Sequence, residues 1–256
     1  MKRLTCIIFV LFCFLMGNSF AYPASDGAAD AVLQDAGETA AETVAVPAGA
    51  ETESQDKGSA DTAFDEQDWK LTLINKQHPI PEDYSFTLGT IKTDRGNMKC
   101  DERIIEELNS MMQDAKEDGI HLAICSPYRD LARQESLFNR KIKTYMRGGM
   151  TYMDAYKISS QAVTVPGASE HQAGLALDII CDTYTVLEEG FADTPAGIWL
   201  EENCARYGFI LRYPKGKELI TGIEFEPWHF RYVGREAAEI IMEEEICLEE
   251  FWEKYL

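Results

Sequence analysis

Between Tyr22 and Asp68 the chain carries twelve acidic residues against one basic residue, Lys57, and almost no large apolar side chain. Such a stretch cannot bury enough apolar surface to offset the entropy lost on ordering. Residues 22–68 are therefore expected to be an acidic disordered tether, or else a pro-segment removed on maturation. A core has to be built from Trp69 onward, and residues 69–256 have the length of one ordinary domain.

The segment before the tether has a different character. Lys2 and Arg3 precede an apolar run from Leu4 to Met16, and Ser19-Phe20-Ala21 puts small residues at the two positions a signal peptidase inspects. Residues 1–21 read as a signal peptide, with an uncleaved anchor as the alternative. The chain is expected to be exported, lying outside the cytoplasmic membrane as an extracellular, wall-associated or membrane-associated protein. Membrane contact is expected only through that anchor, because no other apolar run is long enough to span a bilayer. The formal charge is −20, and −11 remains once the signal and the tether are set aside. A surface that acidic repels a polyphosphate backbone, which excludes nucleic acid as a partner. Past the signal, Cys100, Cys125, Cys181, Cys204 and Cys247 are odd in number and mostly sit in apolar strings, so buried free thiols are expected.

Within the domain the periodicity changes repeatedly. Trp69 to Ile74 alternates as a strand does, and Pro79-Ile80-Pro81 ends it. Asp101 can cap a helix that places Ile104, Ile105, Leu108, Met111, Met112 and Ala115 on one face and stops at Gly119. A short strand from Ile120 to Cys125, a helix from about Asp130 to Arg147, and a third helix opened by Thr151 and Asp154 follow. Gly174 to Cys181 reads as a strand, Thr194-Pro195 opens a helix to about Tyr207, and Phe209–Tyr213 and Pro227–Val233 read as strands. The tail from Arg235 reads as helical. Helices and strands mix without regular alternation, which predicts an α+β fold with an antiparallel sheet and packed helices. Neither a P-loop nor a dinucleotide fingerprint is present.

Four histidines remain to be placed. His78 and His121 have ordinary surface or packing readings. His171 lies in Ser169-Glu170-His171-Gln172-Ala173-Gly174-Leu175-Ala176-Leu177-Asp178, and His229 in Glu226-Pro227-Trp228-His229. A catalytic zinc ion takes three protein ligands from imidazole and carboxylate and keeps one position for water. His171, Asp178 and His229 supply that set, provided the chain turns at Gly174 and His229 comes from a neighbouring strand. Glu226 supplies a base, and a bend at Pro227 is needed to bring it to the face of His229.

These motifs resemble the zinc D-alanyl-D-alanine carboxypeptidases of the VanY type, relatives of the D-Ala-D-Ala dipeptidases. The form Ser-x-His-x-x-Gly-x-Ala-x-Asp is matched without a gap from Ser169 to Asp178, and Glu-Pro-Trp-His from Glu226 to His229. An upstream Ser-x-Tyr-Arg with a later Gln is matched by Ser126, Tyr128, Arg129 and Gln134. The resemblance covers about Leu71 to Gly234. It implies one zinc ion on His171, Asp178 and His229, Glu226 as catalytic base and Arg129 as oxyanion partner. Ser169 and Gln134 are implied to hold the peptide end, and Tyr128, Ser126 and Trp228 to shape the pocket; core packing is an equal reading for Trp228, and a helix cap for Ser126.

The activity implied is hydrolysis of the terminal D-Ala-D-Ala bond of peptidoglycan stem peptides with release of D-alanine. Serine carboxypeptidase chemistry of the penicillin-binding type is disfavoured, since Ser-x-x-Lys with a matching Lys-Thr-Gly is absent. Alternatives are an L,D-carboxypeptidase acting on tetrapeptide stems, a catalytically silent wall-peptide binding module, and a signalling ligand of the hedgehog type. A pure binder has no need of Glu226 and Arg129, which argues against the second.

Overall fold

A computed structural model describes residues 64–256 apart from residue 94. The signal segment 1–21 and nearly all of the tether 22–68 lie outside the described residues. The folded part begins no later than Phe64, whose ring packs on Phe251 and Tyr255 with centroids 5.0 and 6.2 Å apart. The domain therefore starts ahead of Trp69.

A hairpin of β1 (Leu88–Thr93) and β2 (Gly96–Asp101) leads through a 3₁₀ turn into α1 (Ile105–Glu117). Then come β3 (Leu122–Ser126), α2 (Leu131–Arg147), α3 (Tyr152–Ala162), β4 (Ala176–Cys181), α4 (Pro195–Asn203), β5 (Phe209–Leu211), the short α5 (Glu218–Thr221), β6 (His229–Tyr232), α6 (Arg235–Glu243) and α7 (Leu248–Tyr255). Strands β3, β4, β6 and β5 form an antiparallel sheet in that order. The α+β architecture expected from the sequence is the one found.

The helix ends follow local chemistry. Asp130 accepts from the backbone N–H of Arg133, which starts α2, and Thr151 accepts from that of Asp154, which starts α3. Asp130 thus holds the cap position, not Ser126. Asp101 caps the turn before α1.

Successive strand residues face opposite sides of the sheet. Leu177, Ile179, Phe209, Leu211 and Phe230 share the main core with Leu108 and Met111 of α1 and with Trp199 and Leu200 of α4. Ile210 belongs to a second core, with Leu71, Leu73, Val233, Ile241, Leu248 and Phe251, built by α6, α7 and the N-terminal segment. Phe138, Ile142 and Ala155 join α2 to α3. Strand β4 is buried along its whole length, as a central strand covered on both faces must be.

Three local expectations are corrected. Trp69 to Leu71 is a 3₁₀ turn, not the start of a strand, because the guanidinium of Arg231 takes the carbonyls of Lys70 and Thr72 that a strand neighbour would need. The β1–β2 hairpin lies where no element was expected; its strands are largely exposed, with only Ile91, Cys100 and Asp101 buried, so its apolar periodicity is weak. The helical tail is two helices, broken where Glu245 adopts φ 52°. The five cysteines past the signal are free, four of them buried.

Gly174 turns the chain from the His171 segment into β4 with φ +72°, and a Cβ there would lie 2.8 Å from the Asp101 nitrogen and 2.6 Å from the Phe86 ring. Strain and overpacking act together at that position, so Gly174→Ala is expected to cost about 2–4 kcal/mol, measured as a loss of unfolding free energy in urea.

Candidate active site

Asp178 on β4 lies opposite His229 on β6 and, on its other side, opposite Ser126 at the end of β3. Antiparallel pairing therefore sets three polar side chains in one row across the sheet. His171 arrives from the 3₁₀ turn Glu170–Ala173, turned in by Gly174. Its carbonyl accepts from the Arg129 N–H at 3.1 Å, which pins the loop after β3 against it.

The ligand atoms of His171, Asp178 and His229 all lie within 4.8 Å of one another, and all three residues are buried. His171 Nδ1 is 3.0 Å from the carbonyl oxygen of Pro127. A carbonyl only accepts, so Nδ1 carries the hydrogen and Nε2 presents a lone pair. That lone pair faces Asp178 Oδ1 at 3.3 Å, and His229 Nδ1 faces the same oxygen at 3.2 Å. Asp178 Oδ1 is buried without a hydrogen-bond partner. The His171 lone pair and the unpartnered Asp178 oxygen make a dry, electron-rich pocket that a positive charge relieves, either a proton on His229 or a metal ion, and two imidazoles with one carboxylate suit zinc.

Glu226 precedes β6 and is brought back by a turn in which the His229 N–H reaches the Glu226 carbonyl at 3.1 Å. This is the bend that Pro227 suggested, and it puts Glu226 Oε2 3.5 Å from His229 Nδ1. Burial, opposed by His229 and reinforced by Asp178, raises the Glu226 carboxyl to about 8. Burial and the nearby Arg129 lower His171 to about 4. For His229 burial acts downward, yet Asp178 and Glu170 overcome it and hold the ring up to about 9. Asp178 stays well below the usual carboxylate range, since His171 and Arg129 outweigh its burial.

Arg129 donates from Nη2 to Asp178 Oδ2 at 2.7 Å, from Nε to Ser126 Oγ at 2.9 Å and from Nη1 to Gln134 Oε1 at 3.4 Å. Gln134 also donates to the Thr164 carbonyl at 2.7 Å and is fully buried. Both ends of its amide are thus committed inside the protein, and it holds Arg129 where the family resemblance had implied a grip on the peptide. Ser126 does the same from the strand end. Tyr128 packs edge-on against Phe86, with ring centroids 5.9 Å apart. Trp228 is part of the main core, so its packing reading describes what the structure places there. Ser169 is buried beside Glu170. His78 and His121 are exposed.

Sequence reasoning passed over Glu170, which stands at a position that the motif form leaves unspecified. It is buried, and its Oε1 accepts from Arg212 Nε at 2.7 Å and Arg231 Nη1 at 2.8 Å. The available signal was two arginines set within apolar strands, Leu211-Arg212 and Phe230-Arg231, which require a buried acid.

An α+β domain whose sheet carries a buried pocket of two histidines and one aspartate, with a carboxylic acid beside it, defines a metal-dependent hydrolase. The family described as VanY, D-alanyl-D-alanine carboxypeptidase, matches residues 97–235. A D-alanyl-D-alanine carboxypeptidase of Enterococcus faecalis is 40% identical over 189 residues, 73% of this chain and 67% of the relative. Two solved VanY structures are similar. One, a vancomycin-resistance D,D-pentapeptidase variant in complex with Zn(II), has 39% identity and a TM-score of 0.64, over 72% of this chain and 99% of that one. The other, VanYB in complex with D-alanine-D-alanine, has 38% identity and a TM-score of 0.66, over 73% and 99%. The LD-carboxypeptidase LdcB has 35% identity and a TM-score of 0.60, over 74% and 89%. This chain belongs to the VanY D-alanyl-D-alanine carboxypeptidase family.

A proton and a metal ion compete for His229 Nδ1. Because the ring is held up to about 9, the metal must displace that proton at neutral pH, and raising the pH removes the competitor. Zinc affinity of the metal-free protein should rise about tenfold from pH 7 to 8 and by less from 8 to 9, read by chelator competition.

Proposed function

We propose that this protein is a zinc-dependent carboxypeptidase that hydrolyses the terminal D-Ala-D-Ala bond of peptidoglycan stem peptides and releases D-alanine. The observation that carries the reading is the convergence of His171, Asp178 and His229 in one buried pocket with Glu226 3.5 Å from His229. Those three side chains would hold the zinc ion. When bound, zinc supplies a Lewis acid that makes water nucleophilic at neutral pH and polarises a carbonyl.

Glu226 takes the proton from the attacking water and delivers it to the departing D-alanine nitrogen. Burial raises the proton affinity of its carboxyl, the direction that lets it keep the proton between the two transfers. Arg129, fixed by Ser126 and Gln134, brings a preoriented positive charge to the negative charge that grows on the carbonyl oxygen of the penultimate D-alanine. The carbon–nitrogen bond then breaks and the terminal D-alanine leaves as its amine. No covalent acyl-enzyme is formed. Ser169, Tyr128 and Trp228, which lie within two residues of His171, Arg129 and His229 in the chain, are proposed to shape the pocket that receives the peptide end.

The likeness to LdcB favours a second reading, L,D-carboxypeptidase action on tetrapeptide stems. Release of D-alanine from purified pentapeptide and tetrapeptide stems distinguishes the two. Metal-dependent release from the pentapeptide is the expected result; faster release from the tetrapeptide moves the assignment to L,D cleavage, and release from neither, with both stems still bound, leaves a binding module. Glu226→Ala should lower turnover by about 10²–10⁴-fold while zinc stays bound, and labelled penicillin should acylate no serine.

We further propose that the domain works outside the cytoplasmic membrane, delivered there by residues 1–21, with the acidic segment 22–68 as a solvated spacer ahead of it. The basic start, the apolar run and Ser19-Phe20-Ala21 support this, as does a wall-peptide substrate. Protein recovered from the culture medium or the wall fraction should have Tyr22 as its first residue by N-terminal sequencing.

A further inference from the structure

Two buried polar atoms with no hydrogen-bond partner face one another beside the site: Glu170 Oε2 and His229 Nε2, 3.6 Å apart. The other oxygen of the same carboxylate is fully engaged. Arg212 and Arg231, both wholly buried, donate to Glu170 Oε1, and this holds the carboxylate ionised. Arg231 is anchored in turn by the carbonyls of Lys70, Thr72 and Tyr232. Arg212 makes a bidentate pair with Glu249 at 2.7 and 2.8 Å, and Asn75 donates to Glu249 at 3.0 Å. The free oxygen is therefore aimed at the imidazole by a scaffold that reaches α7, beyond the residues matched by the family description.

An imidazole that ligates a metal through one nitrogen needs an acceptor on the other, which fixes tautomer and ring angle and makes the ligating nitrogen more basic. His171 has such an acceptor in the Pro127 carbonyl. For His229 the acceptor at hand is Glu170. We propose that Glu170 is a positioning residue that holds the hydrogen on His229 Nε2 and so turns Nδ1 toward Asp178 Oδ1 as a metal ligand, and that Glu249 of α7 supports it by fixing Arg212. The inference rests on the reading of His229 as a zinc ligand.

Its charge bears on metal affinity beyond geometry. A carboxylate in contact with the outer nitrogen stabilises the positive charge that the imidazole acquires on ligation, and burial leaves no water to screen that effect. A neutral amide in the same place still accepts a hydrogen bond but lacks the charge. Glu170→Gln therefore separates this role from simple space filling.

The test uses the full chain. Zinc affinity of Glu170→Gln, measured by chelator competition on protein shown to be folded by circular dichroism, is expected to fall about 10–100-fold. Glu249→Gln is expected to weaken zinc in the same direction and by less. Unchanged zinc affinity in folded Glu170→Gln overturns the proposal, even if its thermal stability drops, because lost stability alone is what a purely structural ion pair predicts. Should Glu170→Gln fail to fold, nitrogen-15 NMR of the zinc-loaded wild type decides. His229 bound through Nδ1, with a hydrogen on Nε2 protected from exchange, supports it; ligation through Nε2 overturns it. A wild-type protein that binds no zinc overturns the proposal and the zinc reading together, whereas zinc bound normally in both the wild type and Glu170→Gln overturns this proposal alone.

Discussion

Antiparallel pairing of β4 with β6 puts Asp178 opposite His229, and most of the structure serves to keep that register. Opposite residues on paired strands lie about 4.5–5.5 Å apart at Cα, close enough for an aspartate and a histidine to share one cation. A slip by one residue would turn either side chain to the other face of the sheet. The main core on one face, with Leu177, Ile179 and Phe230, makes such a slip costly because it would expose those residues in the same movement. The apolar packing and the polar site are thus two consequences of one alternation.

The other face has an electrostatic problem. Asp178, Glu226, Glu170 and Glu249 meet Arg129, Arg212, Arg231 and two histidines within a largely dry volume. Each charge is tolerable only because an opposite one reaches it. Arg129 sits on Asp178, and Arg212 with Arg231 brackets Glu170. Glu226 differs from these: no arginine touches it, His229 at 3.5 Å chiefly opposes its burial, and its proton affinity is raised, as suits a residue that moves protons. The distribution of arginines therefore separates carboxylates that remain charged from the one that can exchange a proton.

Much of this is legible in the amino-acid sequence. The helices from Asp130 and Thr151 and the turn at Gly174 were set by capping residues and by a glycine that adopts positive φ, all local effects. His171, Asp178, His229 and Glu226 stood out by residue type and spacing, and the fold brings them together. The 3₁₀ turn at Trp69 was not legible, because its conformation answers to Arg231, far along the chain. Nor was the task of Gln134, since an isolated glutamine has equal use for a substrate and for an arginine.

The sequence by itself determined the local features: where helices start and stop, which residues are apolar enough to be buried, and which side chains can bind a metal or move a proton. Those properties depend on a residue and its near neighbours. Tertiary structure alone decided which charges are neutralised and by what. Glu170 sits beside His171 in the chain, yet it faces His229 and is held by Arg231 of β6 and by Arg212 just past β5, the latter fixed by Glu249 of α7. Pairings of that kind depend on distances in space and on the exclusion of water, and neither is written into local residue order.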